Sequence, residues 1–125
     1  MPSFTLLGPQ IIRFPFILAS SYPHEVLHNW WGNGVFVDYA SGNWCEGLTN
    51  FCTNYGRRVL EGGPEAGRRY RRGIINQVSL DPTLDDGPLG DFGRPGRGVD
   101  RFVGYEKGSF VFMMLQDVLE DGLPE

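Results

Sequence analysis

The chain holds two histidines, four residues apart, in His24-Glu25-Val26-Leu27-His28. On a helix of 3.6 residues per turn, positions i and i+4 lie one above the other on the same face. Two imidazoles so placed can share one metal ion. Glu25, beside the first of them, can lean toward a water on that metal and act as general base. A third ligand must come from elsewhere, and Glu46 in Asn43-Trp44-Cys45-Glu46-Gly47 is the candidate. The five-residue pattern also arises by chance in unrelated chains. Here Val26, Leu27, Trp30 and Trp31 make the other sides of the helix apolar, so the reading is a buried helix. Its polar groups then need partners, and a metal supplies them.

The wider motif sharpens this. His24-Glu25-x-x-His28 is followed by Asn29-Trp30-Trp31-Gly32-Asn33, then by Asn43-Trp44-Cys45-Glu46-Gly47, and far downstream by Gly104-Tyr105-Glu106-Lys107-Gly108. In that order these segments resemble the aminopeptidase N-like gluzincins, a family of zinc metallopeptidases that includes the leukotriene hydrolase-aminopeptidases. The resemblance spans Met1 to about Glu120. It implies a mainly α (α+β) fold, a portion of a thermolysin-like zincin catalytic domain with four helices and short amino-terminal β segments. It also implies Zn²⁺ held by His24, His28 and Glu46, with Glu25 as general base and the Tyr105 hydroxyl donating to the oxyanion. The loss of one such donor elsewhere costs roughly 3 kcal/mol. Two departures stand out. Seventeen residues, Asn29 to Cys45, separate the second histidine from the glutamate, where the family has eighteen. The family's exopeptidase motif, Gly-x-Met-Glu-Asn, lies near where this chain begins, and its glutamate is missing from Met1-Pro2-Ser3-Phe4. The amino-terminal β domain and carboxy-terminal helical domain are missing too, so a fragment of a longer peptidase is one expectation.

Composition bounds the rest. A length of 125 residues, 41% hydrophobic and 14% aromatic, suits a single globular domain over 1–125. A net charge of −4 argues against a general nucleic-acid binder. Two cysteines form no disulfide framework. On a helix from Trp44 to Tyr55, Cys45 and Cys52 are roughly 10 Å apart along the axis, beyond the roughly 7 Å limit for a bridge. Cys45 reads as a small buried residue, with a thiolate ligand as the alternative. No basic leader or membrane-length apolar run is present, and Phe14 to Ala19 is too short for either. Localisation stays unknown, cytoplasmic by default.

In chain order, Ser3 to Leu7 reads as β-prone, ending at the turn Gly8-Pro9. Ile11 to Phe14 and Phe16 to Leu18, flanking Pro15, read as an edge strand or extended approach. Ser20 to Pro23 opens the metal helix, and Gly32-Asn33-Gly34 stops it. Val35 to Tyr39 is an extended bridge. A second helix from about Asn43 to Leu60 carries an apolar stripe of Trp44, Leu48, Cys52 and Tyr55. Glu46, Thr49, Asn50 and Thr53 are assigned to the metal cleft, with Thr49 and Asn50 as candidate orienting donors for Glu46 or His28. Glu61-Gly62-Gly63-Pro64 separates a third helix, about Pro64 to Val78. Its Arg68, Arg69, Arg71 and Arg72 read as a solvated face, or as a site for an acidic partner. Asp81 to Arg101 reads as a long irregular connection, functional or mobile. The last helix, about Gly104 to Glu120, carries Val111, Met114, Leu115 and Val118 as core.

The expected activity is peptide-bond hydrolysis, by resemblance removal of an amino-terminal residue from a peptide substrate, with other domains or a partner chain completing the cleft. A zinc-binding but inactive fragment and a non-enzymatic helical interaction module stay open beside it.

Overall fold

Residues 4–84, 86–93 and 101–120 are described by the computed structural model, and their backbone is mainly helical. A 3₁₀ turn, Pro15–Ala19, leads into α1, Ser21–Leu27. Next, α2 (Cys45–Asn50), a π-helical turn (Phe51–Gly56) and α3 (Arg57–Leu80) run on as one continuous body. A short 3₁₀ turn, Leu89–Asp91, precedes a second π-helical turn, Phe102–Lys107, which continues into α4, Gly108–Glu120. Among the described residues no helix is long and apolar enough to cross a membrane.

The expected break at Glu61-Gly62-Gly63-Pro64 is present as a kink. Gly63 takes φ 71° and ψ −178°, a conformation open to glycine. Pro64, with its φ preset, restarts the helix behind it. The glycine stop after α1 also holds, but the helix tightens before it. Regular structure ends at Leu27, and His28 remains helical at φ −61°. The amides of Asn29 and Trp30 then bond three residues back, to the carbonyls of Val26 and Leu27. Gly32, at φ 109°, turns the chain so that its amide meets the carbonyl of Val35 at 2.9 Å.

Other expectations are corrected. The amino-terminal β segments are not strands. Phe4 to Leu7 takes no regular structure and pairs with no strand among the described residues, and Phe16 to Leu18 lies in the 3₁₀ turn after Pro15. Proline favours a helix start, and no neighbouring strand offers a ladder here. An isolated bridge between Trp31 and Val35 is the β pairing seen among the described residues. α1 is not buried, having no buried residue, and Trp30 is 57% exposed.

The buried faces of the longer helices also differ from the apolar stripes. On α2 and its π turn the buried positions are Cys45, Gly47, Thr49, Asn50, Thr53 and Tyr55, so Trp44, Leu48 and Cys52 lie only partly covered. On α4 they are Gly108, Ser109 and Met113, while Met114, Leu115 and Val118 are exposed. The reason is the crossing of α2 and α4 at Gly47 and Gly108. A Cβ on Gly47 would stand 2.7 Å from the Gly108 carbonyl carbon. Only small side chains fit such an approach, which turns the bulky stripes outward.

Behind the crossing, Tyr55, Ile74 and Met113 form the core, with Phe51, Val59, Tyr70, Phe102 and Phe110 packed against it. Arg71, expected on a solvated face, pins α3 to α4 instead. Its guanidinium donates to both oxygens of Asp117 at 2.6 and 2.8 Å, to the Tyr55 hydroxyl at 3.0 Å and to the Met113 carbonyl at 3.3 Å. Arg68, Arg69 and Arg72 do lie exposed, gathered on Glu65. The connection after α3 is tied down where it is described. The Asn43 amide donates to the Phe92 carbonyl at 2.8 Å, and Lys107 reaches Asp86 at 2.6 Å. Its stretch Arg94-Pro95-Gly96-Arg97-Gly98 lies outside the described residues, as do Met1 to Ser3.

Candidate metal centre

Local helix geometry stacks the two imidazoles, with ring centres 4.8 Å apart. Packing of α2 against α4 then brings Glu46 to them across the intervening loop. His24 Nε2 lies 3.0 Å and His28 Nε2 3.3 Å from Glu46 Oε2, and the two Nε2 atoms are 3.1 Å apart. His24, His28 and Glu46 are the metal-competent cluster found among the described residues. The loop one residue shorter than the family's therefore still delivers the carboxylate.

These residues fit a zinc ion. A tetrahedral site with bonds of about 2.0–2.1 Å has ligand atoms roughly 3.3–3.4 Å apart, close to the separations here. The His28 Nδ1–H donates to the Trp31 carbonyl at 2.9 Å, which leaves Nε2 as the ligating atom and fixes the ring. Two imidazole nitrogens and a carboxylate oxygen are also one of the donor sets that hold zinc in catalytic sites.

The electrostatics describe a carboxylate held among protons. Burial pushes Glu46 upward, but hydrogen bonds from His24 and His28 outweigh it and hold the group down at about 2. The Cys45 thiol and then Glu46 raise His28 to about 10. Cys45 is free and buried beside that ring. It falls outside the ligand cluster, so it acts as a neighbour to His28 and the small-residue reading stands.

Tyr105 reaches the site from the second π-helical turn. Its ring stacks on His24 at 5.6 Å between centres, with the Glu46 charge nearby. Burial first, and then the Glu46 charge, raise the phenol above its ordinary range, which keeps it a proton donor. Glu25 lines the cleft in front of this cluster together with His24 and Tyr105, in a cavity of about 410 Å³. All five residues singled out in the sequence thus converge on one place.

The orienting roles expected of Thr49 and Asn50 are corrected. Asn50 lines the cleft but donates to the Tyr105 carbonyl at 3.0 Å, so it fixes the tyrosine turn and touches neither Glu46 nor His28. Thr49 is fully buried at the helix crossing, and its hydroxyl has no partner. Thr53 bonds back to the Thr49 carbonyl at 2.8 Å, away from the metal cluster. Sequence reasoning missed the cleft residues Asn54, Gln77 and Arg101 and the two π-helical turns. Such turns widen a helix by one residue and recur at functional sites. Nothing in the local spacing announced them.

No protein-family model, no curated protein and no solved structure matches this chain.

Proposed function

We propose that the chain carries the centre of a zinc-dependent peptidase of the aminopeptidase N-like gluzincin kind, acting on peptide bonds. The observation that supports it is the meeting of His24, His28 and Glu46 within 4.8 Å, with Glu25 and Tyr105 on the cleft beside them. Zinc, when bound, supplies Lewis acidity and lowers the pKa of a water toward neutrality. Glu25 accepts the proton of the attacking water and passes it to the leaving amine. Tyr105 donates its hydroxyl to the oxyanion that develops at the scissile carbonyl. The Trp31 carbonyl holds His28 in register while this happens.

A second reading has its own support. Phe4, Leu6, Ile12, Phe14, Phe16 and Phe36 are all at least half exposed, more apolar surface than scattered residues explain. On that reading the chain binds zinc but hydrolyses nothing until another domain or chain covers these side chains.

Metal content and turnover of aminoacyl and internally quenched peptides separate the readings. The wild-type chain should carry about one zinc, on the one-ion logic of such sites, and hydrolyse peptide. Glu25→Gln should keep the zinc and lose turnover, while His28→Ala loses both. Zinc without turnover in the wild type leaves the second reading standing. A folded chain without zinc rejects both.

A further inference from the structure

Glu46 and Tyr105 belong to different helical segments, so their spacing depends on what joins α2 to the π-helical turn Phe102–Lys107. Asn50 makes a direct join. It follows Glu46 by four residues on α2, and the two therefore share a helix face one turn apart. Its Nδ2 donates to the Tyr105 carbonyl at 3.0 Å. The same carbonyl takes the amide of Gly108, the glycine at the crossing with α2. The next residue along is tied as well, because the Tyr70 hydroxyl of α3 donates to Glu106 Oε2 at 3.0 Å.

The direction of the Asn50 amide is fixed too. Asn54 Nδ2 donates to Asn50 Oδ1, which leaves Nδ2 for the tyrosine carbonyl. Asn50 is only 3% exposed, so solvent does not stand in for either partner. Reversing the amide would set oxygen against the Tyr105 carbonyl and one NH₂ group against another.

We infer that Asn50 is a positioning residue, which sets the Tyr105 hydroxyl in register with the His24/His28/Glu46 cluster, and that Asn54 sets Asn50. Asn50 bonds to none of the three cluster residues, so its effect passes through Tyr105. What the hydroxyl does rests on the peptidase reading, and where it stands rests on these hydrogen bonds.

Asn50→Asp keeps the size and the acceptor for Asn54 but turns an oxygen toward the Tyr105 carbonyl. In the zinc-loaded chain it should lower kcat on aminoacyl peptides by about 100-fold, the scale of a misplacement near 1 Å, with KM and zinc content unchanged. Tyr105→Phe should lower kcat by about 100–1,000-fold, the worth of one oxyanion donor. Combining the two should cost no more than Tyr105→Phe alone, since Asn50 acts through the hydroxyl. Asn54→Ala, at a half-buried position, should lower kcat by about tenfold, the scale of one lost hydrogen bond. It carries the same test if Asn50→Asp fails to fold. Losses that add in the double variant, or zinc lost in step with turnover, would make Asn50 merely structural and overturn the inference.

A second readout needs no turnover. With fluorotyrosine incorporated, the fluorine resonance missing from Tyr105→Phe belongs to Tyr105, whose ring stacks on His24. Asn50→Asp should move that resonance and leave those of the exposed Tyr22 and Tyr39 in place. An unmoved resonance overturns the inference whatever the activity. A moved resonance in a chain whose wild type hydrolyses nothing keeps the placement of Tyr105 by Asn50 and loses the peptidase reading.

Discussion

The two sides of the metal cluster are built to different densities. α1, a seven-residue helix with no buried residue, supplies His24, and its C-terminal cap supplies His28. The body of α2, α3 and α4 supplies Glu46 and Tyr105 from a packed core around Tyr55, Ile74 and Met113. In the body, position is set by neighbours. The Gly47–Gly108 crossing sets where α2 lies, and Arg71 clamps α3 to α4. On α1, position is set by the helix itself, through the i, i+4 relation. The two are joined at the cluster, by the stacking of Tyr105 on His24, by Cys45 beside His28, and by the Arg57 guanidinium reaching the Ala19 carbonyl. A metal shared by His24, His28 and Glu46 would add a further fastening between a locally ordered helix and a globally ordered body.

Substitutions on the two sides should then behave differently. Met113 is fully buried between α3 and α4. Met113→Ala should cost about 2–5 kcal/mol, read from chemical denaturation, with zinc binding lost in step with folding. A cost below about 1 kcal/mol would mean the body is looser than its packing implies. Arg71→Met should cost less, about 1–2 kcal/mol, since the Asp117 end of the pair is nearly half exposed. A double-mutant cycle with Asp117→Asn would isolate the coupling, and a value near zero would remove Arg71 as a clamp.

Alkali should loosen the body through Tyr70. Burial, and then Glu106, raise its phenol to about 12 from an ordinary 10.0. Between those values the folded chain holds a proton that the unfolded chain has released, so stability is full below pH 10 and falls as pH rises toward 12. Denaturation midpoints of wild type and Tyr70→Phe across that range check this, because the variant should lose less. Parallel decline in both would assign the effect elsewhere. The smallest change should come from Trp30, beside α1 and 57% exposed. Trp30→Ala should shift stability by no more than about 0.5 kcal/mol. A loss as large as that of Met113→Ala would erase the contrast between the two sides.

Legibility in the sequence followed the range of the interaction involved. His24, Glu25 and His28 were readable because one helical turn relates them. The kink at Gly63-Pro64 was readable because both residues carry their backbone preference with them. Glu46 and Tyr105 came from motif resemblance, and their meeting with the histidines rests on contacts between helices. The stripes on α2 and α4 misled because hydrophobic spacing marks a face without saying what lies opposite. Here the opposite face is another backbone, too close for Trp44 or Met114, so Cys45, Thr49 and Ser109 went inward.

The sequence by itself determined the chemistry on offer: two imidazoles in one register, a carboxylate beside them, a second carboxylate and a phenol downstream, and the glycines at which helices turn. These depend on residues within a turn or two of one another, and their physics travels with the local chain. Only the tertiary structure decided that Glu46 and Tyr105 meet the histidines and that Arg71 is a clamp while its neighbours are solvated. Each of those outcomes depends on which surfaces approach closely enough to exclude water. That is a property of helices packed against each other, which the spacing along a single helix does not contain.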